Sequence, residues 1–191
     1  MLKLYVAPRT RSTRARWLLE EMEVPYEVAK LDLAAGQNRT PEYLALNPFG
    51  ELPAFVDGEL TLFDQAAVIL HLLERFPEKG LAPSVGSPHR AQFLQWLLFA
   101  ETRLEPLILD YYPGARKSGA PEGALSEALS VIDARIGTKH FIVGDSFTAA
   151  DLVMASMLHL AHQLKQLDGY PRLYEYTHRH ASRPAVRRAL A

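Results

Sequence analysis

At the start of the chain Leu2, Leu4 and Val6 alternate with Lys3 and Tyr5, the period of two that marks a half-buried strand. The period then changes. Ala15, Leu18, Leu19 and Met22 recur at i, i+3, i+4 and i+7, so one apolar stripe runs down a helix. Tyr26 to Leu33 reads as a second strand. Thr40 before Pro41 supplies a cap followed by proline at the first helical position, which opens a short helix through Leu46. Phe55–Val56 and Leu60–Leu62 flank Asp57-Gly58, a hairpin signal, and Ile69, Leu72, Leu73 and Phe76 restore the helical period. The order strand, helix, strand, helix, strand, strand, helix predicts one small α/β unit.

Residues 78–87 are rich in Pro, Gly and Ser and read as a linker. Only helical patterns follow. Ser87-Pro88 is expected to start a long helix carrying Phe93, Trp96, Leu97 and Ala100. Leu125, Leu129, Ile132 and Ile136 stripe another as far as Gly137, and Pro171 and Pro184 each open a shorter one. The predicted organisation is therefore an α/β domain over 1–77, a linker over 78–87 and an all-α domain over 88–191. Thr148 and Asp151 stand three apart, as in a capping box, with Phe147 and Leu152 placed to staple it. That is a folding signal, and Asp151 is assigned no chemistry.

Composition narrows the function. A formal net charge of −1 argues against nucleic acid or an anionic membrane as the main partner. No apolar run approaches the length of a membrane span, and the first eight residues are too short for a signal sequence, so the expected location is cytoplasmic. The chain has no cysteine. That removes disulfides, thiolate metal sites and any thiol nucleophile of the protein's own. His159-x-x-His162 and His178-x-His180 lack an acidic partner at ligand spacing and read as solvated or capping histidines, so no metal is expected.

The segment from Asn47 to Gly58 holds two prolines and a glycine ahead of a short apolar strand. Pro53 has no N–H, and the Leu52 backbone beside it is left to meet an extended peptide by strand addition. A plain hairpin lead-in is the competing explanation. Three separated motifs decide between them: Leu4-Tyr5 through Arg16-Trp17-Leu18-Leu19-Glu20-Glu21, the Asn47–Gly58 loop, and the Gly144–Asp151 capping box. In order and spacing the chain resembles the glutathione S-transferase family along nearly its whole length. The resemblance implies a thioredoxin-like α/β domain followed by an all-α helical domain, a two-fold homodimer, and glutathione as co-substrate. It also implies a role in detoxification, with the glutathione thiol added to a small hydrophobic electrophile. Non-catalytic scaffolding on the same fold, or a glutathione-dependent isomerase, dehalogenase or peroxidase, stands as the alternative.

Glutathione brings the thiol the protein lacks. A thiol near pKa 8.5 is only a few per cent ionised at neutral pH, and lowering it by two units takes roughly 2.7 kcal/mol of thiolate stabilisation. A hydroxyl and a helix N-terminus can supply much of that. The candidates are Thr10, then Ser12, then Tyr5. Thr10 takes the position of the theta-type catalytic serine, and Tyr5 ends the first strand, where other classes keep a tyrosine. Each also has a plain reading, a helix cap for Thr10 or Ser12 and a core residue for Tyr5. The resemblance further assigns glutathione contacts to Arg9, Arg39, Leu52, Pro53, Asp64 and Gln65, with the Leu52–Pro53 bond expected cis. Asp64-Gln65 replaces the usual Glu-Ser or Gln-Ser, and Glu51 stands where Lys or Gln is commoner. Asp64 can equally be a simple cap. Pro8, Phe99, Arg103, Tyr111 and Tyr112 are the expected walls for the second substrate.

Overall fold

The computed structural model describes residues 1–115 and 117–191. Strand β1 (Leu2–Val6) runs parallel to β2 (Glu27–Lys30) on one side and antiparallel to β3 (Ala54–Asp57) on the other, and β4 (Leu60–Phe63) pairs with β3. Leu4 sits opposite Val28 and Phe55, so its fully buried side chain lies mid-sheet. Helices α1 (Ser12–Met22) and α3 (Gln65–Arg75) pack together on the sheet. Leu18, Leu19, Met22, Ile69 and Leu72 all lose their water there, each worth about 1.5–3 kcal/mol.

Three details differ from the periodicity. Strand β2 ends at Lys30, because the Asp32 carboxylate accepts the Ala34 and Ala35 N–H groups at 2.9 and 3.1 Å and turns the chain. The short α2 (Pro41–Leu44) starts at Thr40 as expected, with the Thr40 hydroxyl accepting the Tyr43 N–H, but it ends before Leu46. The hairpin turn is Gly58–Glu59, one residue later than Asp57-Gly58, since Asp57 still pairs with Leu60. Asp57 is held in the strand by His71 Nε2 at 3.0 Å and Arg75 Nε at 2.9 Å, and Gly58 takes the positive φ of 63°.

The chain divides into two compact units, Met1–Lys79 with Pro184–Ala191, and Gly80–Arg183. Helix α9 (Pro184–Leu190) thus departs from the expectation of one helical domain over 88–191. It packs against α1, and Arg188 donates to the Glu20 carboxylate at 2.9 Å and to its carbonyl at 2.8 Å. The other Glu20 oxygen accepts the Tyr26 hydroxyl at 2.6 Å; burial, then that bond, pushes the phenol up to about 12.

The second unit is helical. Helix α4 (Arg90–Phe99) begins three residues later than Ser87 and continues as a wider π turn over Ala100–Leu104 into α5 (Glu105–Leu109). Pro106 explains the widening: its ring would collide with the carbonyl four residues back, and it has no N–H to give. Helix α6 (Ala124–Ile136) stops at Gly137, and α7 (Ala149–Gln163) and α8 (Pro171–Ala181) complete the unit. At the head of α7 the fully buried Asp151 carboxylate accepts four hydrogen bonds. They come from the Thr148 N–H (2.9 Å) and hydroxyl (3.1 Å), the Ile142 N–H (2.7 Å) and the Tyr176 hydroxyl (2.7 Å). Burial first, and then the Asp151 charge, hold the Tyr176 phenol well above its ordinary value.

Candidate functional site

Three loops of the first unit meet at one place. The turn after β1 carries Pro8, Arg9 and Thr10 into α1. The second is the lead-in to β3, where the Leu52–Pro53 bond is cis, as expected. The third is the start of α3. Ala7 and Leu52 are packed in one small apolar cluster with Tyr43 and Ala54. Arg14 Nη1 donates to Gln65 Oε1 at 2.8 Å, tying the first turn of α1 to the first turn of α3.

The turn is built from hydroxyls. The Thr10 hydroxyl donates to the Ala7 carbonyl at 2.8 Å and lies 2.6 Å from Ser12 Oγ, which in turn accepts the Ala7 N–H at 3.3 Å. Arg9 makes the corner at φ 58°, a left-handed conformation that a residue with a Cβ enters at a cost. Thr10 is half-buried, whereas Ser12 is 0% exposed. Ser12 therefore lies beneath Thr10, its hydroxyl bonded within the turn. Tyr5 is also part-buried, its ring edge-on to Tyr43 at 5.7 Å.

In the second loop, the Glu51 carbonyl accepts both the Tyr43 hydroxyl (2.6 Å) and Asn47 Nδ2 (2.7 Å). Among the described residues, nothing pairs with the Leu52 N–H or carbonyl. Arg39 Nη1 donates to the Phe49 carbonyl at 2.9 Å and Asn38 Nδ2 to the Gly50 carbonyl at 2.7 Å. Gly50 is a required glycine: φ is 62°, and a Cβ would stand 2.7 Å from the Arg39 guanidinium. Arg39, expected to touch glutathione, thus braces the loop.

At α3, Asp64 adopts φ 71° and ψ 125°, a conformation costing of order 1–3 kcal/mol in a non-glycine residue. Its Oδ1 accepts the Ala66 N–H at 2.9 Å and the Ala67 N–H at 3.4 Å, so it caps the helix. Gln65 is only 2% exposed and its side chain is turned in to Arg14. Glu51 Oε2 stands 3.8 Å from Arg11 Nη1, joining the turn to the second loop.

Of the remaining expected residues, Pro8 is exposed in the turn of the first unit. Phe99, Arg103, Tyr111 and Tyr112 belong to the second. Phe99 packs edge-on to Trp96 at 5.4 Å, Arg103 is exposed on the π turn, and Tyr111 and Tyr112 are exposed just past α5. His159 leans on Gln163, and His162 on the Tyr174 ring. Among the described residues, no group of three or more His, Cys, Asp or Glu could hold a metal ion, and no helix is long and apolar enough to cross a membrane. Sequence reasoning missed the inward turn of Gln65 and the burial of Ser12.

The profile of the glutathione S-transferase N-terminal domain matches residues 1–75, and that of the C-terminal domain matches residues 122–179. Glutathione S-transferase 3 of Zea mays is 30% identical over 165 residues, 78% of this chain and 73% of its own length. The chain belongs to the glutathione S-transferase family. A disulfide-bond oxidoreductase of Escherichia coli, YfcG, is 29% identical over 100% of this chain and 94% of its own. A sphingomonad glutathione S-transferase solved in complex with glutathione superposes with a TM-score of 0.84 at 28% identity, covering 98% of this chain and 96% of that one. The four-stranded mixed sheet is accordingly the family's thioredoxin-like domain, and the relatives mark a transferase-like enzyme.

Proposed function

We propose that the enzyme binds glutathione across the three loops and adds its thiolate to a small hydrophobic electrophile, forming the thioether and releasing the leaving group. The observation that carries this reading is the unpaired Leu52 backbone within the cluster that also holds Ala7, at the Thr10 turn. An extended peptide laid along Leu52 gains two main-chain hydrogen bonds and brings its cysteine to the Thr10 hydroxyl. Its γ-glutamyl end meets the Gln65 N–H and the Asp64 carboxylate at the head of α3. Thr10 now donates to the Ala7 carbonyl, so Ser12 is the donor in the 2.6 Å contact between the two hydroxyls; with the Thr10 proton turned to a thiolate, Ser12 goes on donating to Thr10 and strengthens its bond to sulfur. Thr10 is the catalytic hydroxyl in this reading, and Ser12 a positioning residue. Tyr5 ranks third. The resident co-substrate is glutathione and no metal takes part.

The family resemblance supplies the candidate second-substrate contacts, Pro8 in the first unit and Phe99, Arg103, Tyr111 and Tyr112 in the second, and the work is detoxification in the cytoplasm, where the glutathione pool is kept reduced. A homodimer is the working form. Phe49 (64% exposed) and Phe63 form an edge-to-face pair on the surface of the first unit, and such an aromatic patch favours a second copy. Calorimetry with glutathione, followed by conjugation of 1-chloro-2,4-dinitrobenzene, tests the assignment. Binding together with turnover is the expected result, and a protein that binds no glutathione would be a scaffold on this fold.

The full-length match to the E. coli oxidoreductase favours a second reading, thiol–disulfide exchange. Without a cysteine of its own, the enzyme would need two glutathione molecules, whose thiols are oxidised to glutathione disulfide as the substrate disulfide is reduced to two thiols. Faster turnover of 2-hydroxyethyl disulfide than of the chloroarene would select it.

A further inference from the structure

Arg11 follows Thr10 directly and Glu51 directly precedes Leu52, so their 3.8 Å contact runs between the turn and the loop that hold the proposed thiol and peptide. Both side chains are open to water, 43% and 66% exposed, and neither is fixed in place by burial. The structural duty of residue 51 rests on its carbonyl, which takes the Tyr43 and Asn47 bonds. Its carboxylate has another job.

We propose that Glu51 is a built-in competitor for the carboxylate of the incoming peptide. In the unliganded chain it occupies the Arg11 guanidinium; glutathione binds by exchanging its own carboxylate for that of Glu51. The inference rests on the glutathione binding proposed above and deepens it. Glutathione carries two carboxylates and one ammonium at neutral pH, a net charge of −1. With its γ-glutamyl end at Asp64 and its cysteine at Leu52, the glycyl carboxylate falls at the opposite end of the cradle, on the side of residue 51. There it meets a like charge that must move and a guanidinium that can receive it. Arg39 gives one Nη1 hydrogen to the Phe49 carbonyl, and its remaining N–H groups add positive charge beside the same loop. Glu51 and Arg11 thus set specificity by charge: the site discriminates less against a peptide with a neutral C-terminal group than an all-basic cradle would.

Isothermal titration of wild type and Glu51→Gln with glutathione and with its glycyl monoethyl ester tests this. The substitution keeps the backbone carbonyl and the length of the side chain and removes only the charge. Exposed ion pairs are worth up to about 1 kcal/mol, so Glu51→Gln should bind glutathione roughly fivefold more tightly at low ionic strength. The gain should shrink toward unity near 1 M salt, where the screening length falls to about 3 Å. The ester, lacking the competing carboxylate, should show no gain. Equal or weaker binding of glutathione by Glu51→Gln overturns the proposal, as does an equal gain for the ester. If neither protein binds glutathione, the functional reading itself falls and takes the exchange with it, an outcome distinct from equal affinities.

Discussion

Asp64 and Asp151 both stand at the start of a helix, and they could hardly be treated more differently. Asp151 is sealed from water, and four donors converge on its carboxylate. The cap ahead of it, Thr148, sits in relaxed extended backbone at φ −132°. Asp64 is exposed, sits at φ 71°, and spends one oxygen on two amides. One carboxylate is complete within the protein; the other has capacity left for an outside group and is held in a costly conformation. Saturation marks a folding device; in the function proposed above, the unsaturated and strained cap is where the glutathione ammonium is received.

The contrast is broken most severely by Asp151→Ala. Removing the carboxylate leaves four donors buried with no acceptor, and unfolding should become easier by about 3–5 kcal/mol, a fall of about 6–20 °C in the thermal midpoint. A midpoint within about 3 °C of wild type would mean the network is replaceable by water. In the other unit, Thr10→Val should leave the midpoint nearly unchanged. It should cut kcat/KM at neutral pH by about 10–100-fold, the worth of one hydrogen bond to a thiolate, and raise the pH at which bound glutathione ionises. Ser12→Ala should give a smaller loss in the same direction, and an effect larger than that of Thr10→Val would reverse the two roles.

Legibility followed range. The Thr148–Asp151 box could be read because its partners lie three residues apart, and Thr40-Pro41 and Gly137 could be read for the same reason. The capping signal gave no hint of the third and fourth donors, Ile142 and Tyr176, which arrive from 9 and 25 residues away. In the site, the Asn47–Gly58 loop and the Thr10 turn were visible as motifs. That Gln65 faces inward depends on Arg14, 51 residues earlier, and no local pattern carries that pairing. The hairpin slipped by one residue because His71 and Arg75, on a later helix, hold Asp57 in the strand. The π turn needed Pro106 to be read as a widening of a helix when the apolar stripe ran straight through it.

Asp64→Asn sharpens the comparison at lower cost. Asparagine has the same shape as aspartate and caps a helix equally well, so stability should change by less than about 0.5 kcal/mol. Glutathione should bind several-fold more weakly, because its ammonium loses a charged partner; unchanged affinity would return Asp64 to the role of a plain cap. The smallest effect is expected at His180, on the rim of the Asp151 network. Its Nε2–H donates to the His140 carbonyl at 2.9 Å, and Phe141, Phe147 and Tyr176 surround the ring. Burial is the main influence and lowers its pKa; Asp151 and the His140 bond pull the other way, and Arg179 and Arg183 reinforce the lowering. The unfolded chain therefore takes up this proton first, near pH 6.5, and the native state follows only at lower pH. Stability contributed by His180 is complete above about pH 6.5 and is lost as pH falls below it toward the native pKa. Melts between about pH 8 and 5 should show that decline, and His180→Gln should flatten it.

Helix α9 gives the molecule a schedule. Its contacts with α1, through Arg188 and Glu20, make the first unit discontinuous in sequence: residues 1–79 must wait for 184–191. On a ribosome moving at about 5–20 residues per second, the intervening stretch imposes a gap of about 5–20 s. During that gap the outer face of α1 is uncovered while the helical unit is still emerging. Assembly in the cell is thus paced by translation of residues 80–183, and a nascent chain arrested at Arg183 should be cleaved by protease around α1 at sites that release of the last eight residues closes.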